Sequence, residues 1–384
     1  GVANAYAGIW MKERGMSADQ IGLIFTVPLF ALLILNQLVG RLADRASDWR
    51  QTIIIGAGVS GISALALFVA DGFWPILLVW AVANVGVGAV MPVTDAATMR
   101  LSRRRNSEYA TIRAWGTAGY LLAIVVTGFA VARFSPEAFI PLFVLAGIWR
   151  MGAAFYLPRF RASETSEALA GGAKRLMSVM RPWFVLPLVG WSLVFSTHLL
   201  LNAFQSLLFA EQGISTDVIG LLIAAGALSE AVVFFVFRRY ASRFAARHLL
   251  LISAIVTLVR WTAMAFSPEV PILFGLQLLH GLTFALGFMG SVRFVADWTS
   301  EDIAAEAQGF AMTMQGAIGV LVVYSFGWLV EFFGAHAYFA SALIAAAGGL
   351  CVFVSLMLRG VRTEAAHKLS LDAAAVPPRP DSPV

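Results

Sequence analysis

The segment PRFRASETSEALAGGAKRLMSVMR, residues 158–181, decides the fold, because it is the long polar break in an otherwise hydrophobic chain. A membrane-spanning helix needs about 20 mostly apolar residues. Six hydrophobic runs precede the break and six follow it. The runs are 1–10, 19–40, 51–70, 74–99, 109–132, 137–157, 183–210, 216–237, 248–267, 270–295, 304–330 and 335–358. The pattern predicts an all-α membrane protein with two six-helix bundles, twelve transmembrane helices in total.

Composition indicates that lipid surrounds most of the chain. Apolar residues make up 59% of the 384 residues and charged residues 13%, whereas about a quarter of a soluble domain is charged. The formal net charge of +5 lies in short loops and not on a polar face, so we expect no nucleic-acid partner. The single cysteine, Cys351, excludes an intrachain disulfide framework, and no Cys/His cluster indicates a metal. We therefore expect no cofactor.

The polar break predicts four regions. They are an N-terminal six-helix bundle at 1–157, a cytoplasmic linker at 158–181, a C-terminal six-helix bundle at 182–358 and a disordered cytoplasmic tail at 359–384. The first run is about half a span long and begins without Met or a basic leader. We interpret it as a truncated first helix.

Loop charge predicts the orientation. Basic residues cluster in alternate loops, which the positive-inside rule assigns to the cytoplasm, while the opposite loops hold only Lys12, Arg14 and Arg133. We expect a multi-pass protein of the inner (cytoplasmic) membrane with both ends of the complete protein cytoplasmic. The basic clusters outside the linker and tail are Arg41, Arg45 and Arg50; Arg100, Arg103, Arg104 and Arg105; Arg238, Arg239, Arg243 and Arg247; and Arg293.

The turn after the second run reads Gly40-Arg-Leu-Ala-Asp44-Arg45, with Arg50 following. It resembles the signature loop of the major facilitator superfamily, Gly-x-Leu-Ala-Asp-Arg. Glycine lets a helix end approach a neighbour closely, and an aspartate can pair with an arginine. We interpret Gly40, Asp44, Arg45 and Arg50 as a conformational latch. The alternative is a solvated loop, since exposed ion pairs often contribute little.

A second motif runs from Asn106 through Arg113, Trp115 and Gly116 to Tyr120, after Pro92-Val-Thr-Asp95. It resembles the phenylpropionate permease and lactose permease branch of this superfamily (oligosaccharide and nucleoside proton symporter-like). In that branch a Tyr/Phe-Gly-x-x-Arg-x-Trp/Phe-Gly pattern opens the fifth helix. The likeness continues over nearly the whole chain, through Val259-Arg-Trp261, Leu279-His-Gly281 and Gly327-Trp-Leu-Val-Glu331. It implies the major facilitator fold and transport by alternating access.

Asp95 and Arg113 form the predicted substrate site. Each lies about five residues from the predicted cytoplasmic loop near 100–108, so the two reach a similar depth on neighbouring helices. A charge in the hydrocarbon region is costly and marks function by default. In lactose permease a matching acid and arginine hold the sugar, so the resemblance implies a substrate-binding role for Asp95 and Arg113. A purely structural ion pair is the alternative.

Glu230, Arg260 and His280 form the predicted proton-coupling group. Glu230 is flanked by apolar residues and can hold a proton near neutral pH, with Arg260 or His280 as its expected partner. Imidazole changes charge near neutral pH. The alternatives are a charge pair that fixes packing, for Glu230, and a hydrogen-bonded packing side chain, for His280.

Three neutral residues separate this chain from lactose permease. Gln277, Thr283 and Gln315 stand where the resemblance implies charged residues of its buried network, so the proton site does not transfer directly and lactose becomes an unlikely substrate. His198 is interpreted as a packing residue.

Aromatic residues suggest the chemistry of the cavity. We expect Tyr6, Trp115 and Tyr120 to line it beside Arg113, which suits an arylalkanoate and equally a sugar ring or a nucleoside. The chain holds no Walker loop for ATP. We therefore expect a monomeric proton symporter of a small organic solute in the lipid bilayer. The alternatives are a sugar or nucleoside symporter, a drug or metabolite efflux antiporter, a sensor without transport and, weakest, an enzyme.

Overall fold

The computed structural model describes residues 2–45, 48–94, 97–98, 109–159, 180–240, 243–299 and 301–359. Helices form nearly all of these ranges, and no strand occurs in them. The α-helices are α1 Val2–Glu13, α2 Ala18–Arg45, α3 Trp49–Leu65, α4 Phe73–Gly88, α5 Tyr109–Arg133, α6 Phe139–Phe155, α7 Pro182–Ala203, α8 Gln205–Glu211, α9 Thr216–Tyr240, α10 Ala246–Met264, α11 Val270–Leu278, α12 Leu286–Trp298, α13 Glu301–Phe333 and α14 Tyr338–Leu358.

Helices dominate because an apolar run in lipid must satisfy its backbone hydrogen bonds internally. Each of the twelve predicted runs falls on a helix. In the described ranges nine stretches are long and apolar enough to cross a membrane, and the last, Ala307–Leu358, includes most of α13 and all of α14. The all-α membrane class is therefore confirmed, while the total of twelve spans stays a prediction.

Three runs are interrupted inside the predicted span. The run 74–99 breaks at residues 89–90, directly after α4. The run 183–210 breaks at Phe204 between α7 and α8, and the run 270–295 contains a π-helical turn, Gly281–Ala285, between α11 and α12. The end of α2 corrects the sequence analysis. The expected loop at Gly40–Arg45 is the last part of α2, because the helix continues to Arg45 before Asp48 caps α3.

The two halves pack internally and against each other. In the first half α3 packs on α4 and α6, and in the second half α10 packs on α12 and α14. Across the halves α2 packs on α13 and α5 on α9. These are the second and eleventh, and the fifth and eighth, of the predicted runs, so the two contacts are equivalent under a repeat of six helices. Parallel repeats of this kind are the architecture of major facilitator transporters.

Small residues allow α2 and α13 to touch. A Cβ atom added to Gly22 would lie 3.0 Å from the Cα atom of Gly327, and one added to Gly327 would lie 2.9 Å from the Cα atom of Gly22. Small residues at helix interfaces permit such close approach in membranes. The backbones themselves form this contact between the halves.

The halves are joined at the end formed by the turns at 14–17, 134–137, 212–215 and 334–337, which is called the outer end after the orientation that loop charge predicts. Lys12 Nζ lies 3.8 Å from Glu211 Oε1, the Ala18 amide donates to Glu331 Oε2 at 2.6 Å, and Thr216 Oγ1 donates to the Gly128 carbonyl at 3.1 Å. Toward the opposite end of α5, a Cβ on Gly116 or Gly119 would meet no atom within 4 Å. The described residues therefore form a structure closed at its outer end.

Candidate functional site

The side chain of Arg260 organises the polar site in the second half. It is fully buried on α10 and donates from Nη2 to Gln277 Oε1 at 2.9 Å and from Nη1 to Thr283 Oγ1 at 3.2 Å. Nη1 also lies 3.1 Å from Nδ1 of His280. A guanidinium has donors and no acceptor, so Nδ1 of His280 must accept. In the described part of the chain, the hydrogen-bond partners of this buried cation are all neutral in this arrangement.

The tautomer of His280 follows from that bond. Because Nδ1 accepts, the ring proton of the neutral imidazole lies on Nε2. Nε2 lies 3.5 Å from Oε2 of Glu230. The side chains of His280 and Glu230 are 14% and 29% exposed, so the polar chain runs from a fully buried cation to a partly exposed carboxyl group. We call Arg260, His280 and Glu230 the relay.

A close contact between α9 and the π turn holds His280 beside Glu230. The Gly281 amide donates to Ser229 Oγ at 3.0 Å, and Ser229 Oγ also lies 2.7 Å from the Gly226 carbonyl. A Cβ on Gly281 would lie 2.5 Å from the Ser229 carbonyl oxygen, so only glycine fits there without a shift. π turns within α-helices frequently occur at functional sites. Here the turn directly follows His280.

Aromatic rings continue from the relay through the π turn into α12. Phe284 stacks on His280 at 5.5 Å between ring centroids, and Phe288 stacks on Phe284 at 6.2 Å. Phe234 of α9 meets Phe288 edge-on at 6.3 Å. Phe234 and Phe288 are each 38% exposed. We call His280, Phe284 and Phe288 the ring ladder; it offers stacking surface next to the relay.

His198 of α7 lies beside the ring ladder. Its ring centroid is 5.6 Å from that of His280 and 5.7 Å from that of Phe284. Nδ1 lies 2.9 Å from the Val194 carbonyl oxygen, and Nε2 is buried without a hydrogen-bond partner in the described part of the chain. The sequence indicated only a packing residue at this position.

Of the two expected partners of Glu230, the structure places His280 in direct contact and Arg260 behind it. Gln277 and Thr283, which the sequence marked as neutral replacements for charges, are the residues that hold Arg260. Their role was missed because a neutral side chain gives no charge signal in a sequence.

The predicted substrate pair is only partly described. Asp95 lies outside the described residues, and the backbone of Arg113 lies in α5 while its side chain lies outside them. Trp115 is 76% exposed and Tyr120 36% exposed. Their expected roles stay predictions.

Tyr6 packs between the halves. It is fully buried, and its hydroxyl donates to the Ile124 carbonyl at 3.0 Å. A Cβ on Gly220 of α9 would lie 2.6 Å from that hydroxyl oxygen. In this conformation Tyr6 therefore contributes to the closed outer end, and its expected place in the cavity lining stays a prediction.

The predicted latch is described only at Arg50. The side chains of Gly40, Asp44 and Arg45 lie outside the described residues, although their backbones complete α2. Arg50 Nη2 donates to the Phe155 carbonyl at the end of α6, and the Arg50 amide donates to Asp48 Oδ1 at 3.0 Å. Arg50 thus ties α3 to α6.

Two packed helical halves, with a buried polar cluster inside the second half, are the arrangement expected of a membrane transporter. The MFS_1 like family matches residues 1–341, so the chain belongs to this family and is a secondary active transporter of the major facilitator type, not an enzyme.

Relatives and solved structures agree with this class. The chain is 26% identical over 358 residues to the Escherichia coli (strain K12) protein named "Probable 3-phenylpropionic acid transporter", covering 90% of this chain and 91% of that one. It is 23% identical to the lactose permease of Klebsiella oxytoca over 319 residues, 75% of this chain and 74% of the relative. The crystal structure of the nucleoside transporter NupG superposes with a TM-score of 0.76 at 17% identity, covering 94% of this chain and 95% of that one.

Proposed function

We propose that this transporter is a proton-coupled symporter of a small aromatic acid of the phenylpropionate type. The observation that carries the proposal is the relay, in which a buried arginine is linked through one imidazole to a partly exposed carboxyl group. The remaining steps follow from the charges of these three side chains.

Proton binding changes the charge of the relay. With Glu230 ionised, its negative charge offsets the positive charge of Arg260 across His280. A proton added to Nδ1 of His280 would place two donors against each other, so the proton belongs on Glu230. With Glu230 protonated, the relay carries a net positive charge in a low-dielectric site. That state attracts an anionic substrate, so proton and substrate each favour the binding of the other.

The substrate class is supported by two features. A buried cation selects an anion such as a carboxylate, and the ring ladder offers stacked aromatic surface beside it. The phenylpropionic acid relative named above fits the same chemistry. In this proposal Arg113, with Asp95 as its partner, binds the polar end of the substrate during entry, while Trp115, Tyr6 and Tyr120 line the path.

The remaining assignments complete the proposal. Gly40, Asp44, Arg45 and Arg50 form a latch at the cytoplasmic end, and the protein is a monomer in the inner membrane with both ends of the complete chain in the cytoplasm. The linker 158–181 joins the two bundles, and the tail 359–384 lies in the cytoplasm.

The test is substrate-induced alkalinisation of lightly buffered cells. Phenylpropionate should enter together with protons and raise the external pH in cells that express the chain, with empty-vector cells as the control. Phenylpropionate uptake without proton movement would contradict symport. Normal uptake in an Arg113→Ala variant that inserts normally into the membrane would contradict the substrate site.

A further inference from the structure

His198 presents a hydrogen-bond acceptor that the relay does not use. A carbonyl oxygen only accepts, so Nδ1 of His198 must donate to the Val194 carbonyl at 2.9 Å. In the neutral ring that leaves Nε2 with a lone pair and no proton. The side chain is only 5% exposed, and this nitrogen has no partner in the described ranges. Buried polar groups are nearly always hydrogen-bonded, so a missing donor calls for an explanation.

The position of the ring shows where a donor would come from. Because Nδ1 bonds the backbone of its own helix, Nε2 lies at the ring edge away from α7. The ring centroids of His280 and Phe284 lie 5.6 Å and 5.7 Å from that of His198. The free acceptor therefore lies among aromatic rings at the His280 end of the ring ladder, beside the relay.

The chemistry of this acceptor limits the ligand group. A carboxylate has no proton to donate, and a cation is disfavoured next to Arg260. A neutral hydroxyl group donates one hydrogen bond and remains compatible with stacking on Phe284. Nε2 is closed off from solvent in this conformation, so the hydroxyl reaches it as the substrate ring inserts beside Phe284.

We propose that Nε2 of His198 and the ring of Phe284 form a subsite that reads a hydroxyl group on the aromatic ring of the substrate. The assignment rests on the proposed transport of aromatic acids and adds the preferred ring substituent. Residues that hydrogen-bond a substrate hydroxyl discriminate strongly against the analogue that lacks it, because the buried partner is then left unpaired.

The experiment compares uptake of phenylpropionate with uptake of its meta- and para-hydroxylated analogues in cells that express the full chain. We expect at least one hydroxylated analogue to half-saturate wild-type uptake at about tenfold lower concentration, the size of one good hydrogen bond. His198→Phe keeps an aromatic ring and removes the acceptor, so it should abolish that preference while phenylpropionate uptake persists. His198→Gln can place an amide oxygen near the position of Nε2 and should restore part of the preference.

Phe195→Leu is the matched control, because Phe195 lies on the same helix with its ring centroid 6.0 Å from that of Phe284 and carries no polar atom. It should change uptake of all three acids by the same factor. Three results would overturn the assignment: no wild-type preference, as for a site filled by water; an unchanged preference in His198→Phe; or an equal loss of preference in Phe195→Leu. If the wild type transports none of the three acids, the proposed function fails together with the subsite.

Discussion

Arg260 donates to Nδ1 of His280 at 3.1 Å, so this histidine faces Glu230 with its protonated nitrogen. The orientation makes His280 a bridge between a buried cation and a partly exposed acid. The contact of His280 with Arg260 and its contact with Glu230 can therefore be tested separately by substitution.

Substituting Glu230 with glutamine imitates the protonated acid. Glu230→Gln should retain exchange of internal for external substrate and lose accumulation driven by a proton gradient, because the site no longer gains or loses a proton. Counterflow and gradient-driven uptake in membrane vesicles measure the two activities. Glu269→Gln, at an exposed helix start without a side-chain cap bond, is the matched control and should accumulate substrate normally. Gradient-driven accumulation by Glu230→Gln would remove Glu230 from the coupling group.

Two substitutions of His280 separate the ends of the bridge. His280→Asn can still accept from Arg260 but no longer reaches Glu230, whereas His280→Gln can reach Glu230 but leaves Arg260 short of one acceptor. Both should reduce proton-driven accumulation. Only His280→Gln should also lower the free energy of unfolding, by about 1–3 kcal/mol, the cost of a buried polar group left unpaired. Thermal unfolding of the purified protein in detergent distinguishes them, and equal stability would contradict the assigned tautomer.

Gly281 should tolerate no side chain. Gly281→Ala would place a methyl group 2.5 Å from the Ser229 carbonyl oxygen, pushing the π turn away from α9 and His280 away from Glu230. We expect a loss of about 1–3 kcal/mol in the free energy of unfolding and a loss of proton-driven accumulation. Gly275→Ala, on α11 with no atom within 4 Å of the added Cβ, is the control for helix substitution. Similar behaviour of the two variants would argue against the contact as the support of the relay.

A larger residue at Gly22 should hold the outer end open. Gly22→Val would collide with the Gly327 backbone and favour the state in which the halves separate there. Labelling of a cysteine at Ala203, a buried position on α7, by a membrane-impermeant maleimide in a Cys351→Ser background reports the opening. We expect several-fold faster labelling of cells, with Gly58→Val, which meets no atom within 4 Å, as the control. An unchanged rate would show that the contact does not limit opening.

The helices could be predicted from the sequence because lipid leaves an apolar run few alternatives to a helix. The interruptions at Phe204 and at Gly281–Ala285 could not, since the prolines of these two runs, Pro187 and Pro271, lie well before the breaks and do not mark them. Local hydrophobicity is the same whether such a run continues or breaks.

The sequence was enough to predict those residues of the candidate site that carry, or can carry, a charge. Glu230, Arg260 and His280 stood out as polar residues in apolar runs, and their contact was expected with two possible partners for the acid. The choice of His280 as the direct partner depends on the approach of α9 to the π turn, fifty residues away in sequence. The roles of Gln277, Thr283 and His198 depend on which atom each presents, and no spacing rule reveals that.

The contact between Gly22 and Gly327 also has an evolutionary consequence. At each position the nearest atoms are backbone, which cannot shrink in compensation, and the ring of Phe204 lies farther away, at 3.4 Å from a Cβ on Gly22 and 3.3 Å from one on Gly327. A larger residue at one position therefore cannot be offset by a smaller one at the other. In relatives that close in the same way, both positions should remain small together, and a lineage that enlarges either should have moved its resting state toward the opposite side of the membrane.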